Sequence, residues 1–280
     1  MTDVLARTLN GISVVALVTN IPGPIVAARL RALGATVTKI EPPSGDPLAA
    51  AAPAWYRSLV TGIDVRALDL RDETGVVALE RCLHDADLLL TSTRAGVLER
   101  LGLSWAPLHA RFPGLVHVAI SGEAPPHDDR AGHDLTYQAR AGTIAAPAMP
   151  RALIGDMACA ERATAAALGA LLQRERAGCA VRADVAIVDA ASDFAEPYRQ
   201  GLTAADGALG GALPVYQVYP ARTGFVAVAA LEPHFAQRLQ TLLGVDRLTR
   251  ETIAAALLRR DAGAWEREAE AHDVPLAAVR

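Results

Sequence analysis

The sequence predicts an α/β protein: a large domain built on a doubly wound, mostly parallel sheet, followed by a smaller α+β domain. Three observations predict this. Short runs that are apolar at nearly every position alternate with stretches of helical periodicity, which is how parallel strands covered on both faces read. The chain has 280 residues, enough for one large core or a large plus a small one. The texture changes at 202–212, where small residues and glycines replace the alternation, as expected of a connection between units.

The elements follow in order. Residues 12–18 read as a strand, 24–33 as a helix and 36–40 as a second strand. A strand is expected over 66–70, a helix over 73–84 and a strand over 87–90. Residues 115–120 form another strand, an alanine-rich helix covers 157–173, and a strand follows over 181–188. Ligands on such sheets sit beyond the carboxyl ends of the strands. Pro22-Gly23-Pro24 leaves the first strand and opens a helix; that N-terminus either holds a phosphate or is simply the start of a helix, and without a glycine fingerprint the second reading is preferred. The large domain is placed at 1–201, the glycine-rich linker or mobile loop at 202–212, and the small domain at 213–280. The small domain opens with Leu213-Pro214-Val215-Tyr216-Gln217-Val218-Tyr219, turns near Thr223-Gly224, forms a strand over 225–230, and adds two or three helices.

Composition excludes several function classes. The formal net charge of −4 gives no reason to expect nucleic acid or an anionic membrane surface as partner. No apolar run is long enough to span a bilayer, and no basic-then-apolar leader opens the chain. Cys82, Cys159 and Cys179 are scattered and have no metal-ligand spacing, so no metal is expected and a reduced, cytoplasmic setting is. Cys159 is read as a small buried helix residue, with a reactive thiol near Asp156 as the alternative.

The residues with the most chemistry stand in three places: Gly132-His133-Asp134, Gly155-Asp156, and Glu232-Pro233-His234. An imidazole and two carboxylates of different environment suit proton transfer at carbon, because burial and mutual charge tune such groups toward working pH. Each has a plain structural reading as well. His133 and Asp134 can cap a helix starting at Leu135, Asp156 can be the N-cap of helix 157–173, and Glu232 opens a helix with Pro233 in its first turn.

Ordered matches along the chain resemble CoA-transferase family III, the CaiB/BaiF group that includes the alpha-methylacyl-CoA racemases. They are Leu33-Gly34-Ala35, Lys39-Ile40-Glu41-Pro42, Gly45-Asp46-Pro47, Ala67-Leu68-Asp69-Leu70, Arg94-Ala95-Gly96-Val97 through Gly102-Leu103, Gly132-His133-Asp134, Gly155-Asp156, Arg182-Ala183-Asp184-Val185 and Glu232-Pro233. By resemblance to the racemase branch, His133 and Asp156 exchange a proton with the alpha carbon of an acyl thioester and Glu232 hydrogen-bonds His133. The resemblance also places Lys39, Arg94 and Tyr137 against the CoA-bearing substrate. No separate cofactor is implied, coenzyme A being part of the substrate. In the transferase branch the residue matching Asp156 is a nucleophile that forms an acyl-enzyme. That reading stays open, and so does a non-catalytic subunit paired with a fuller homologue.

Some features depart from the family pattern. The basic segment expected before Ala67-Leu68-Asp69-Leu70 is Val60-Thr61-Gly62-Ile63-Asp64-Val65, Ala95 stands for Pro, and Met157-Ala158-Cys159-Ala160 replaces a glycine-rich turn. Fewer cations for the CoA phosphates imply weak CoA binding, a carrier-bound acyl thioester, or lost activity. Relatives continue past the small domain and form interlocked dimers. Here the sequence stops where that return begins, so either the protein is a natural short form or the return is missing from this sequence. A homodimer, or a heteromer with a homologue, is expected.

Overall fold

The computed structural model describes residues 5–280. The chain divides into two compact units, one ending at Ala195 and the other running from Glu196 to Arg280.

In the first unit the order is β1 (Ser13–Leu17), α1 (Pro22–Ala32), β2 (Thr36–Glu41), α2 (Pro47–Ala51), α3 (Pro53–Leu59), β3 (Asp64–Ala67), α4 (Glu73–His84) and β4 (Leu88–Thr91). Then come α5 (Ala95–Arg100), α6 (Trp105–Arg111), β5 (Val116–Ser121), α7 (Asp134–Ala141), α8 (Ile154–Ala177), β6 (Arg182–Ala186) and α9 (Ile187–Phe194). The six strands are parallel in the order β3-β2-β1-β4-β5-β6. Strand order reverses between β1 and β4, which is the topological switch point where doubly wound sheets bind ligands. The expected fold class is therefore the observed one.

The central strands explain themselves. All four residues of Leu88-Leu89-Leu90-Thr91 are buried, and so are Val14, Val15 and Ala16 of β1. Val and Leu at successive positions have no solvent face to offer, so they fit only a sheet covered on both sides. The edge strand β3 shows the opposite: Asp64-Val65-Arg66-Ala67 is exposed throughout. The strand expected over 66–70 starts two residues early for that reason. Its pairing partner is β2, through Thr38↔Asp64 to Glu41↔Ala67, and the apolar Leu68 and Leu70 pack beyond its end rather than within it. The strand expected over 181–188 ends at Ala186, because Ile187 and Val188 open α9; β-branched residues at a first helical turn carry the same apolar signature as a strand.

The helix expected over 157–173 is longer at both ends. α8 spans Ile154–Ala177 and buries Ala158, Ala160, Ala163, Ala167 and Ala170 on one face. That face packs on α1, β5 and β6. Asp156 is consequently not the N-cap, which is Leu153, but a residue of the first turn. Cys159 is fully buried on the same helix, and burial pushes its thiol up to about 12, so the small-core reading holds and a reactive thiolate does not.

The second unit holds α10 (Glu196–Arg199), β7 (Tyr216–Pro220), β8 (Phe225–Ala229), α11 (Pro233–Leu243), α12 (Arg250–Leu257), α13 (Ala262–Ala271) and β9 (Leu276–Ala278). Its antiparallel sheet has the order β7-β8-β9, and Val226, Val228, Leu239, Leu243, Ile253, Leu257 and Trp265 form its core. The division falls ahead of residue 201. Residues 202–212 are tied to the start of this unit by Leu202 N–H to the Pro197 carbonyl and Leu209 N–H to the Leu202 carbonyl, both 2.9 Å. They end in a π-helical turn at Ala208–Ala212. Among the described residues no helix is long and apolar enough to cross a membrane.

Candidate functional site

A cavity of about 200 Å³ opens at the carboxyl ends of β1, β4, β5 and β6. Each strand end contributes to it: Thr19 and Asn20 after β1, Ser92 after β4, Ile120 and Ser121 of β5, and Ile187 after β6. Ser92 Oγ accepts the Thr19 N–H at 3.2 Å, joining the two loops on either side of the switch point. Asn20 takes a left-handed φ of +69°, a conformation that asparagine tolerates better than most residues. Its N–H is held at 3.0 Å by Asp46 Oδ1.

His133, Tyr137 and Asp156 meet in this cavity, with Arg94 and Arg130 at its wall. His133 is the residue before α7, with extended φ and ψ of −139° and 166°. Its N–H donates to Thr136 Oγ1 at 3.1 Å, which closes the first turn of α7. The expected helix start at Leu135 moves to Asp134, and His133 remains exposed.

Asp156 is 8% exposed. Burial raises its carboxyl from 3.8 to about 7, with the nearby Asp134 charge adding to the effect. A buried carboxyl disfavours its ionised form, and a like charge does the same. Asp156 thus stands where it can both hold and release a proton near neutrality.

Tyr137 is 3% exposed, and two glycines make room for its ring. A Cβ at Gly132 would lie 2.5 Å from Tyr137 Cζ, and one at Gly122 would lie 1.9 Å from the hydroxyl. No residue larger than glycine fits at either place while the tyrosine stays. Burial is also the main reason that the Tyr137 hydroxyl is held above its ordinary range. The loop between these glycines is fastened by Glu123 to Arg130 and Arg140, and by Asp129 Oδ1 to the Gly96 N–H at 3.0 Å.

One expected site residue lies elsewhere. Lys39 does not present its ammonium to a ligand. It is 0% exposed and is paired with Glu41 and, at 2.8 Å, with Asp46 Oδ2. Tyr56 donates its hydroxyl to Glu41 at 2.8 Å. β2 is buried over Ile40 and Glu41, so a cation there must find its counter-charge inside the protein. Because Asp46 also holds Asn20, Lys39 serves the site by bracing the loop after β1. Glu232 belongs to the second unit, where it is exposed and precedes α11, with Pro233 at the first helical position.

A second crevice, about 960 Å³, lies at the carboxyl ends of β1, β2 and β3 and meets the first at Thr19. Pro42, Pro43, Leu68, Leu70, Val97 and Leu101 give it apolar walls, and Arg71 and Arg100 supply cations. Sequence reading missed both arginines, looking for cations ahead of β3 rather than after it. It also read Asp134 only as a possible cap, although an acid beside the histidine and a glutamine four residues on, one helical turn later, was the available signal.

Comparison with known proteins agrees with this architecture. A family model described as CoA-transferase family III matches residues 9–280. A succinyl-CoA–D-citramalate CoA-transferase of Chloroflexus aurantiacus is 32% identical over 65% of this chain and 50% of its own length. The alpha-methylacyl-CoA racemase of Homo sapiens is 31% identical over 85% of this chain and 65% of its own. The chain thus spans half to two thirds of the length of these two relatives. Among solved structures, a Mycobacterium tuberculosis protein superposes with a TM-score of 0.85 at 24% identity, over 98% of this chain and 86% of that one. A CaiB/BaiF family protein from Brucella suis gives 0.82 at the same identity, over 98% and 84%.

Proposed function

The chain belongs to CoA-transferase family III, and within that family we propose that it is an acyl-thioester racemase or epimerase acting at the alpha carbon. One observation carries the proposal: His133 and Asp156 line a single cavity at the switch point, and Asp156 is raised to about 7. Deprotonating carbon next to a thioester requires an aligned base, and inverting the centre requires an acid on the other face. The imidazole of His133 removes the alpha proton, and the C–H electron pair passes into the enolate. The protonated carboxyl of Asp156 delivers a proton to the opposite face. The reverse reaction exchanges their roles. A carboxyl with an ordinary value would be ionised at neutral pH and have no proton to give. Tyr137 and Arg94 flank the pair.

The second crevice is the proposed seat of the coenzyme A moiety. It is apolar-walled, reaches the first cavity at Thr19, and offers Arg100 to phosphate, with Arg71 at its wall paired to Asp69 at 2.7 Å. A pantetheine arm joining the two places the thioester at the switch point. Glu232, from the same chain or from a second copy, is the proposed partner of His133. Dilution of a dimer would then reduce activity, which light scattering alongside assays over a concentration series would follow.

A second reading is favoured by the citramalate transferase relative, which is 32% identical over 65% of this chain. In it Asp156 attacks the thioester carbonyl, the thiolate of CoA leaves, and an acyl-enzyme anhydride remains.

The test is alpha-proton exchange of a 2-methylacyl-CoA in deuterated water. Wild type should exchange, and His133→Ala and Asp156→Ala should each lose on the order of a hundredfold to ten-thousandfold. If His133→Ala keeps its activity toward the thioester, and Asp156→Ala alone is dead with an acyl-enzyme mass seen in wild type, the transferase reading replaces this one.

A further inference from the structure

Asp134 is a buried carboxylate bonded to the backbone of Asp156, and the reaction proposed above does not use it. It is 5% exposed and both of its oxygens are committed. Oδ1 accepts the Asp156 N–H at 3.0 Å. Oδ2 accepts from Gln138 Nε2 at 2.6 Å. Gln138 is 0% exposed and gives its other Nε2 hydrogen to the Ala152 carbonyl at 2.8 Å. α7 therefore grips the start of α8 at two points, the carbonyl of residue 152 and the amide of residue 156.

The amide of a first-turn residue has no acceptor within its own helix. Asp134 supplies one, and its charge complements the positive end of the α8 dipole. Gly155 makes the approach possible, since a Cβ there would stand 3.0 Å from Asp134 Oδ1 and 3.1 Å from Ile187 Cγ2.

We infer that Asp134, clamped by Gln138, is a positioning residue for Asp156: it locks the first turn of α8 to α7, so that Asp156 and the adjoining His133 keep a fixed separation across the cavity. The inference rests on the proposed role of Asp156. His133 and Asp134 are consecutive, so any shift of α7 against α8 would move base and acid relative to each other. The same contact sets the charge that Asp156 sees. Tyr137 on α7 and Cys159 on α8 interact with the same carboxyl, His133, Arg94, Asp128 and Arg130 line the cavity with it, and Asp134 is the charge that favours its protonated form.

The experiment compares three variants across pH 5–9. Asp134→Asn keeps the shape and one acceptor oxygen and removes the charge. Gln138→Met removes the clamp. Asp156→Asn removes the acid itself. The inference expects the midpoint of the kcat profile to move about one pH unit toward acid in Asp134→Asn. It expects Gln138→Met to lose about tenfold or more in kcat while KM changes little, as for a group that aligns rather than binds. The Asp156 carboxyl, followed by 13C NMR in selectively labelled protein and assigned with Asp156→Asn, should titrate lower in Asp134→Asn than in wild type. Because that titration needs no turnover, it separates the two ideas. If Asp156→Asn stays active, the proposed function fails while the titration still judges the contact. If Asp156→Asn is dead but Asp134→Asn shows the wild-type profile and the wild-type titration, the positioning role of Asp134 is overturned. A kcat of Gln138→Met within twofold of wild type would overturn the clamp.

Discussion

Asp156→Asn should stabilise the protein while removing its chemistry, and the stabilisation should depend on pH. Asp156 titrates at 3.8 in an unfolded chain and near 7 in the folded one. Between those values the folded state holds a proton that the unfolded state has released, so stability falls as pH rises, by about 1.4 kcal/mol per pH unit. Over roughly three units the loss reaches about 4 kcal/mol, present in full above pH 7 and absent below pH 3.8. Asparagine carries no such liability. The variant should match wild type near pH 4 and exceed it by about 4 kcal/mol at pH 8. For a unit of this size that is a rise in Tm of roughly 8–16 °C.

His117 makes the difference measurement necessary. It is fully buried in β5, with Nε2 3.0 Å from Thr91 Oγ1, and burial lowers it from 6.5 to about 3. Its folded value is depressed, so its contribution is present above 6.5 and lost as pH falls. Between about pH 4 and 6.5 the two slopes oppose each other, and the wild-type curve should be nearly flat. Subtracting wild type from Asp156→Asn cancels the histidine and leaves the aspartate. Scanning fluorimetry at matched ionic strength from pH 4 to 8.5, with urea unfolding at pH 8, reads the result. A difference that does not grow with pH, or a variant less stable than wild type at pH 8, would refute the reasoning.

Two further predictions concern the frame of the site. Lys39→Met leaves Glu41 and Asp46 buried without their cation, and should cost about 3–5 kcal/mol in urea unfolding at pH 8; a change under about 1 kcal/mol would mean that Lys39 is dispensable. Gly132→Ala should displace Tyr137 and cost about 1–3 kcal/mol. Combined with Tyr137→Ala it should cost less than the sum of the two single changes, and a cycle with no coupling would show that the glycine is small for another reason.

Much of this could be read from the sequence, but unevenly. β1, β4 and β5 are legible because burial on both faces forces continuous apolar runs, and α4 was bounded correctly at Glu73–His84. β3 was misplaced because an edge strand has no such requirement. His133 and Asp156 could be found because each follows a glycine demanded by close packing, and Tyr137 followed from the family resemblance. Arg94 followed from its motif. The fate of Lys39 could not be read, since a lysine at a strand end looks the same whether it faces a ligand or two buried carboxylates. Asp134 was hidden for a related reason. The helix that it grips begins twenty residues later in the chain, and no local pattern announces an acceptor for a distant amide.

The alanine face of α8 has a consequence for how this protein can change over generations. Ala160, Ala163 and Ala167 are completely buried where the helix lies on its neighbours, so the helix sits at a depth set by methyl groups. A valine or leucine at any of them would push the helix outward, at about 1–3 kcal/mol each. The displaced turn would carry Asp156 with it. A lineage could therefore keep every reactive residue and still lose the reaction, through substitutions that look conservative and lie several turns away. Activity in such descendants is better judged from the sizes along this one helix face than from the presence of the histidine and the aspartate.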